Sequence, residues 1–320
     1  MATTSIADVQ VPVRYADYIV QLSTSLSELW TSGIVGTTPE IAALASGGGV
    51  IINLPFWQDL TGADEVLAEG ALTPAKFTSG NDVARKHGRG KAWGAYDLAG
   101  ELAGDDPLEA LANRIATWWA RRMQDMVIST LTGVFGDALA ATHVNTAAAG
   151  DSVIAADDWL DTEQLLGDAK DRLTAICIHS AMENKMKGLD LIDFEHESDQ
   201  GTPIPYYMGK SVLVDDNCPV ADGVYRSYMF GPGALAYAEA PVKTPFETGR
   251  NHLSGIDEVV TRRQFYLHPR GVAWQEDTCT GEFPTNAELE TTANWSDVYS
   301  VKDIRMVALD ARVAAAVEAA

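Results

Sequence analysis

Apolar positions along the chain fall into two kinds of pattern, helical spacings of three and four and short runs of β-branched and aromatic residues. Tyr15, Tyr18, Ile19, Leu22, Leu26 and Leu29 predict one amphipathic helix. Its flanks are rich in Thr, Ser and Gly and end in Ser46, Gly47, Gly48 and Gly49. Residues 50–57, with Val50, Ile51, Ile52, Leu54, Phe56 and Trp57, then read as a strand. Gly62, Gly70, Pro74 and Gly80 break up the polar stretch that follows. The clearest element starts at Asp106, which can cap a helix, with Pro107 suited to its first position and Glu109 able to close a capping box. Leu108, Leu111, Ile115, Trp118, Trp119, Met123, Met126 and Leu131 keep helical spacing to about Gly133 or Gly136, and Arg114, Arg121, Arg122 and Gln124 form the other surface. At 1.5 Å per residue this helix is about 40 Å long.

Beyond it, strands and helices mix. The pattern predicts a helix from Asp158 to about Leu173, a buried strand over 175–179, and a helix capped by Ser180 that carries Met182 and Met186 and stops at Gly188. Strands follow over 212–216 and 224–230. Residues 259–267 and 271–275 read as paired strands around a turn at His268, Pro269, Arg270 and Gly271. A short helix over 286–289 and a strand over 304–309 close the chain. There is neither βαβ regularity nor an internal repeat, so the class is α+β.

Composition narrows the function. The 320 residues amount to roughly two ordinary domains. Lys plus Arg number 23 against 45 Asp plus Glu, a formal charge of −22, which opposes phosphate neutralisation and adsorption to an anionic membrane. Cys177, Cys218 and Cys279 stand far apart, with no CxxC pair and no zinc-finger spacing, as in chains kept in a reducing compartment. The first residues lack the basic flank and apolar core of a signal peptide, so synthesis and folding in a cytoplasm are expected. No apolar run approaches the 18 or so residues of a spanning helix.

One local feature goes against the overall charge. Lys76, Arg85, Lys86, Arg89 and Lys91 are opposed only by Asp82, with His87, Gly88 and Gly90 among them. Three readings are open on the residues alone: a solvated hairpin, a basic nucleotide- or DNA-binding loop, and an extension lying across an acidic surface of another copy.

Motifs that suggest chemistry are incomplete. Gly209, Lys210 and Ser211 precede an apolar strand ending in Asp215. A phosphate-binding loop needs a glycine where Ile204 stands, and a helix after the hydroxyl residue. Gly231, Pro232 and Gly233 lack the context of a dinucleotide loop and read as a turn. His179 with Glu183, and Glu195, His196 and Glu197, have no third ligand group at suggestive spacing, so surface carboxylates and a satisfied histidine are the plainer reading. No GxSxG elbow occurs.

The order of the later blocks resembles the major capsid proteins of tailed bacteriophages with the Hong Kong 97-like fold. The matching residues are Ile178, His179, Ser180, Ala181, Met182 and Glu183, with 188–194 as the helix exit. They continue with 209–219 from Gly209 to Pro219, 228–234 from Tyr228 to Ala234, and 261–274 from Thr261 to Trp274. Pro284, Thr285, Asn286, Ala287, Glu288 and Leu289 close the match, with Asn294, Trp295 and Lys302. Residues 1–100 match by organisation more than by letters.

The resemblance implies an α+β capsid subunit. Residues 1–48 would be an N-terminal arm and 49–100 an extended β-hairpin loop. Residues 101–172 and 255–282 would form a peripheral domain around the long spine helix, and 173–254 with 283–320 an axial domain. It implies a structural protein that assembles from itself, as pentamers and hexamers, into an icosahedral shell around double-stranded DNA, without catalysis, cofactor or metal. The implied location is the virion, assembled in the host bacterial cytoplasm, with portal, scaffolding and decoration proteins as partners and no membrane. Lys76, Arg85, Lys86, Arg89 and Lys91 then fall in the extended loop and are expected to contact acidic residues of a neighbour. Lys86 and Lys91 have no matching partner for a lysine–asparagine crosslink, and none is expected. The alternatives are an encapsulin-like compartment shell and a nucleotide-dependent enzyme using Lys210 and Asp215.

Overall fold

The computed structural model describes residues 32–60, 62–65, 74–96, 107–147, 153–195, 204–253, 255–275 and 279–314. The helix expected from Tyr15 to Leu29, the Asp106 cap and His196 with Glu197 lie outside them. In chain order the first elements are β1 (Val35–Gly36), α1 (Pro39–Ala45), β2 (Ile51–Trp57), the 18-residue β3 (Ser79–Tyr96) and the 28-residue α2 (Pro107–Val134). Next come α3 (Ala140–His143), β4 (Val144–Thr146), α4 (Ala156–Gln164), β5 (Ala175–Ile178), α5 (Ser180–Gly188), β6 (Asp193–Glu195), β7 (Ile204–Tyr207) and β8 (Lys210–Val214). The last are β9 (Val220–Ala221), β10 (Val224–Phe230), β11 (Leu235–Ala240), β12 (Phe246–Asn251), β13 (Ile256–Pro269), β14 (Val272–Trp274), α6 (Asn286–Glu290), β15 (Trp295–Asp297) and β16 (Met306–Arg312).

Two large sheets result. One runs β1-β11-β13-β3-β2, with β12 also on β13. The other runs β4-β16-β10-β5-β8-β7-β6, with β9 on β10. They meet at Gly231, Pro232, Gly233 and Ala234, where the Ala234 amide donates to the Gly231 carbonyl (3.2 Å) and Gly233 has φ +64°, a type II turn with proline and glycine in their preferred places. The boundary drawn at residue 255 from sequence therefore falls between β12 and β13, which pair with each other over Phe246↔Thr261 to Asn251↔Ile256.

The long helix is as expected in type and length because its apolar stripe is continuous. Ile115, Ala116 and Trp119 pack on Val259 of β13, and Trp119 Nε1 donates to Thr261 Oγ1 (3.2 Å). Its later turns, from Met123 through Leu131 to Val134, share one core with Phe265 and Leu267 of the first sheet and Cys177, Tyr228 and Met306 of the second. The outer face of the first sheet is covered by α1 through Ile41 and Ala45, and that of the second by α4 and α5 through Trp159, Met182 and Met186.

Three expectations are corrected. The strand after Gly271 pairs with β15 (Trp274↔Trp295), not with β13, because β11 and β3 already occupy the edges of β13. The helix from Asp158 ends at Gln164, and residues 167–172 form a 3-10 turn, since Gly167 adopts φ +59° and interrupts the α-helical ladder. The cap of α5 is His179, whose Nδ1 accepts from the Ala181 amide (3.1 Å), and Ser180 is the first helical residue.

Close approach at the end of α2 depends on a missing side chain. A Cβ on Gly133 would lie 2.0 Å from the Leu289 carbonyl oxygen and 2.8 Å from Trp295 Nε1, and Trp295 Nε1 itself donates to that carbonyl (2.8 Å). Gly133→Ala is expected to lower stability by about 1–3 kcal/mol, the usual range for overpacking. An unchanged urea midpoint would show that α2 can shift away from α6 and β15 at no cost.

Candidate intersubunit surface

Arg85, Lys86, Arg89 and Lys91 of the basic segment lie on β3, with Lys76 just before it, and the two halves of the strand have different neighbours. Residues 79–85 pair with β2 (Trp57↔Ser79 to Ile51↔Arg85), and residues 86–96 pair with β13 (Tyr266↔Lys86 to Ile256↔Tyr96). Only the first half pairs with β2 alone, as a two-stranded unit beyond the β13 pairing.

Three of the five candidate cations have partners within the chain. Arg85 donates to the carbonyls of Gly281 (2.9 Å) and Glu282 (3.1 Å), with its guanidinium 6.0 Å from the Trp274 ring centre. Lys86 is buried, its ammonium 5.5 Å from the Tyr266 ring centre. Arg89 donates to Asn286 Oδ1 (2.9 Å); burial lowers its pKa, and the Glu288 carboxylate opposes that shift. Glu288 accepts from the Thr285 and Thr280 amides and hydroxyls, which lowers its carboxyl to about 2. Arg85 and Arg89 thus tie the base of the loop to the entry of α6, where the Gly281 and Glu282 carbonyls and the Asn286 side-chain oxygen accept from them. Lys76 and Lys91 are exposed.

Behind these cations lies a buried polar seam. His268 Nε2 and Asp82 Oδ1 are 2.6 Å apart, and both side chains are almost wholly enclosed. His87 stacks on Phe265 with its Nε2 3.3 Å from the Leu267 carbonyl. Burial, opposed by that hydrogen bond and aided by nearby Arg89, lowers its pKa from 6.5 to about 3. Arg263, between the rings of Trp119 and Phe265, bonds Tyr237 and Glu239.

The two-stranded unit carries an aromatic surface that basic composition did not reveal. Trp57 is 67% exposed and stacks on Phe77, 50% exposed, with ring centres 4.5 Å apart and planes 17° from parallel; Leu60 beside them is 74% exposed. With Phe56, Tyr299 and Arg305 they line an open groove of about 960 Å³, and Lys76 stands on its wall. A signal was present in the sequence: alternation along β2 turns Ile52, Leu54 and Phe56 inward and leaves Asn53, Pro55 and Trp57 outward.

The enzyme candidates are occupied otherwise. Met208 (φ +53°) and Gly209 (φ +72°) form a tight turn joining β7 to β8, the geometry of a type I′ hairpin and not of a phosphate loop. Lys210 Nζ pairs with Glu163 Oε1 at 2.7 Å, both side chains buried, while Asp215 Oδ1, past the other end of β8, accepts from the Asn217 amide and side chain (2.9 Å each). His179 is the helix cap, and Glu183 pairs with Lys187 (2.7 Å). Among the described residues no group of three His, Cys, Asp or Glu could hold a metal ion, and no helix is long and apolar enough to cross a membrane.

The profile of the Gp13-like family, described as major capsid protein 13-like, matches residues 101–307. The chain is 42% identical over 324 aligned residues to the major capsid protein of Bacillus phage SPP1, covering 98% of this chain and all of the relative. The capsid of Ralstonia phage GP4 superposes with a TM-score of 0.59 at 9% identity, over 92% of each chain. The SrpI encapsulin of Synechococcus elongatus gives 0.57 at 11% identity, over 98% of this chain and 96% of that one. At those identities the likeness is one of fold, the Hong Kong 97-like fold.

Two outcomes follow from the buried charges. Lys210→Ala strands the Glu163 carboxylate and is expected to cost about 3–5 kcal/mol, whereas Lys210→Met with Glu163→Leu recovers most of the loss; equal urea midpoints for the two variants would contradict a buried pair. His87 is neutral when folded. Between its unfolded pKa of 6.5 and its folded value of about 3, the unfolded chain binds the additional proton. Its contribution is therefore complete above pH 6.5 and lost as pH falls toward 3, at about 1.4 kcal/mol per pH unit within that window. His87→Phe should flatten the fall of melting temperature with acid; a curve parallel to wild type would place the proton uptake elsewhere.

Proposed function

The chain belongs to the Gp13-like major capsid protein family, and on that premise we propose that copies of it build the icosahedral shell of a tailed-phage virion as pentamers and hexamers. The observation that carries this is the 42% identity to a phage major capsid protein over 98% of the chain, joined to a capsid fold. The role is structural, with no catalytic step and no cofactor. Lys210 and Asp215, the residues an enzyme reading would need, both serve the fold. Portal, scaffolding and decoration proteins are the expected partners, and the enclosed duplex is held without sequence readout. A chain of charge −22 lets a phosphate polymer enter and leave without gripping it.

Strand pairing supports a division of labour. The sheet of β1, β11, β13, β3, β2 and β12 with α2 serves as the peripheral domain, and the sheet from β4 to β6 serves as the axial domain that meets its symmetry mates. Residues 1–48 act as the arm. The β2–β3 unit is the extended loop, and it meets the neighbour through Trp57, Leu60 and Phe77, with Lys76 pairing to acidic residues there and Lys91, on the half of β3 that pairs with β13, to acidic residues beside the base of the loop. Arg85, Lys86 and Arg89 act one step back, holding the loop at a fixed angle.

Light scattering and negative-stain microscopy of the recombinant chain, alone and with a scaffold, test the reading. Uniform hollow particles, or pentamers and hexamers, are expected; a monomer that stays monomeric under every condition would overturn it. Trp57→Ala with Phe77→Ala, and Lys76→Glu with Lys91→Glu, should each leave the urea midpoint near wild type and reduce particle yield severalfold. Only the charge variant should approach wild-type yield in high salt, because exposed ion pairs are screened. Wild-type yields from both would remove the loop from the interface.

A further inference from the structure

Cys177 and Cys218 lie against each other in the core, their sulfurs 3.7 Å apart, although 41 positions separate them. Cys177, on β5, is fully buried, and Cys218 is 2% exposed. Cys218 is held by a hydrogen-bonded turn after β8: its amide donates to the Asp215 carbonyl (3.2 Å), and Asn217 donates twice to Asp215 Oδ1. Tyr228 and Leu213 flank Cys177 on the neighbouring strands, and both cysteines lie in the core that also holds Phe230. A disulfide requires a sulfur separation of about 2.05 Å, so the two sulfurs need only close the remainder of their 3.7 Å gap.

We propose that Cys177 and Cys218 are a latent intrachain disulfide, open while the chain folds in a reducing cytoplasm and closed once the particle meets an oxidising medium. The setting rests on the shell reading; the chemistry does not. The oxidant is a low-molecular-weight disulfide such as oxidised glutathione. One cysteine thiolate attacks it, forming a mixed disulfide and expelling one glutathione thiolate. The second cysteine thiolate then displaces the other glutathione, and the two cysteine protons end on the two glutathiones released. Two thiols are oxidised and one glutathione disulfide is reduced. Burial makes closure of the folded chain slow, since the oxidant must wait for local opening, and makes the closed bond resistant to reduction. The bridge would enclose α5 and β6 to β8, a long loop whose closure restricts the unfolded chain.

The test refolds the full chain from urea in a glutathione redox buffer, and oxidises assembled particles separately with oxidised glutathione. Non-reducing mass spectrometry and peptide mapping should find the loss of two hydrogens and one peptide pair joining Cys177 to Cys218. The melting temperature should rise over that of the reduced chain. Cys218→Ala should abolish both effects, and Cys279→Ala should keep both. Two free thiols after oxidative refolding, a bridge involving Cys279, or an unchanged melting temperature would each overturn the proposal. Particle formation in reducing buffer is scored independently, so a failure there bears on the shell reading alone.

Discussion

The apolar face of α2 is the constraint on which the rest depends. Over its 28 residues one helix packs against both sheets: Ile115, Ala116 and Trp119 meet β13, while Met126, Leu131 and Val134 lie in a core that also holds Tyr228 and Met306. A surface helix normally buries one stripe against one layer. Because this one serves two, the relative placement of the sheets follows from the helix and from the turn at Gly231 to Ala234. Gly133 permits the contact at its end, where α6 and β15 close over the helix by way of the Trp295-to-Leu289 hydrogen bond.

A chain with 45 carboxylates and only 23 Lys and Arg spends several of its scarce cations inside. Arg226 makes a two-point contact with Asp310 (2.7 and 2.6 Å), Arg263 joins Tyr237 and Glu239, and Lys210 meets Glu163. An unpaired buried charge costs far more than its contacts return, so these pairs restrict the arrangements available to the core more than they add to stability. The same logic changes the meaning of the basic run on β3. It reads as a surface only while each cation is taken as exposed; Arg85 and Arg89 instead bind carbonyl and amide oxygens at residues 281–286, and the loop gains a rigid base.

What was legible in the sequence was what local periodicity determines. The long helix, the strands at 175, 212 and 224, and the short helix at 286 each follow from apolar spacing and caps that act over a few residues. The partner of β14 was not legible: proximity across Gly271 favours a hairpin, and only the occupied edges of β13 decide against it. The role of β11 and β12 was missed for the same reason, since strand pairing across the chain leaves no mark in either strand alone. At the candidate surface, the charge run was conspicuous and misleading about depth, while the outward phase of Trp57 was written in the alternation of β2 and outweighed by the apolar run containing it.

Like copies of charge −22 repel one another, so a shell of them needs contacts that work against a long-range field. Exposed lysines help only within about a Debye length and weaken with salt. Aromatic surface removed from water is insensitive to that screening and scales with area. Trp57, Phe77 and Leu60 are exposed beside a groove whose other wall is Val298, Tyr299, Ser300, Asp303 and Arg305, so the β2–β3 unit offers apolar surface whose attraction does not depend on charge. Each contact can be weak, because in a closed shell every copy gives one and receives one, and the folded state is stabilised by its neighbours through mass action. Rigidity of such a contact surface then matters as much as its strength: a loop free to swing would lose that gain to ordering entropy. The Asp82–His268 pair ties β3 to the end of β13, and Arg85 and Arg89 tie it to residues 281–286, so the strand is fixed by the chain's own contacts before any neighbour arrives.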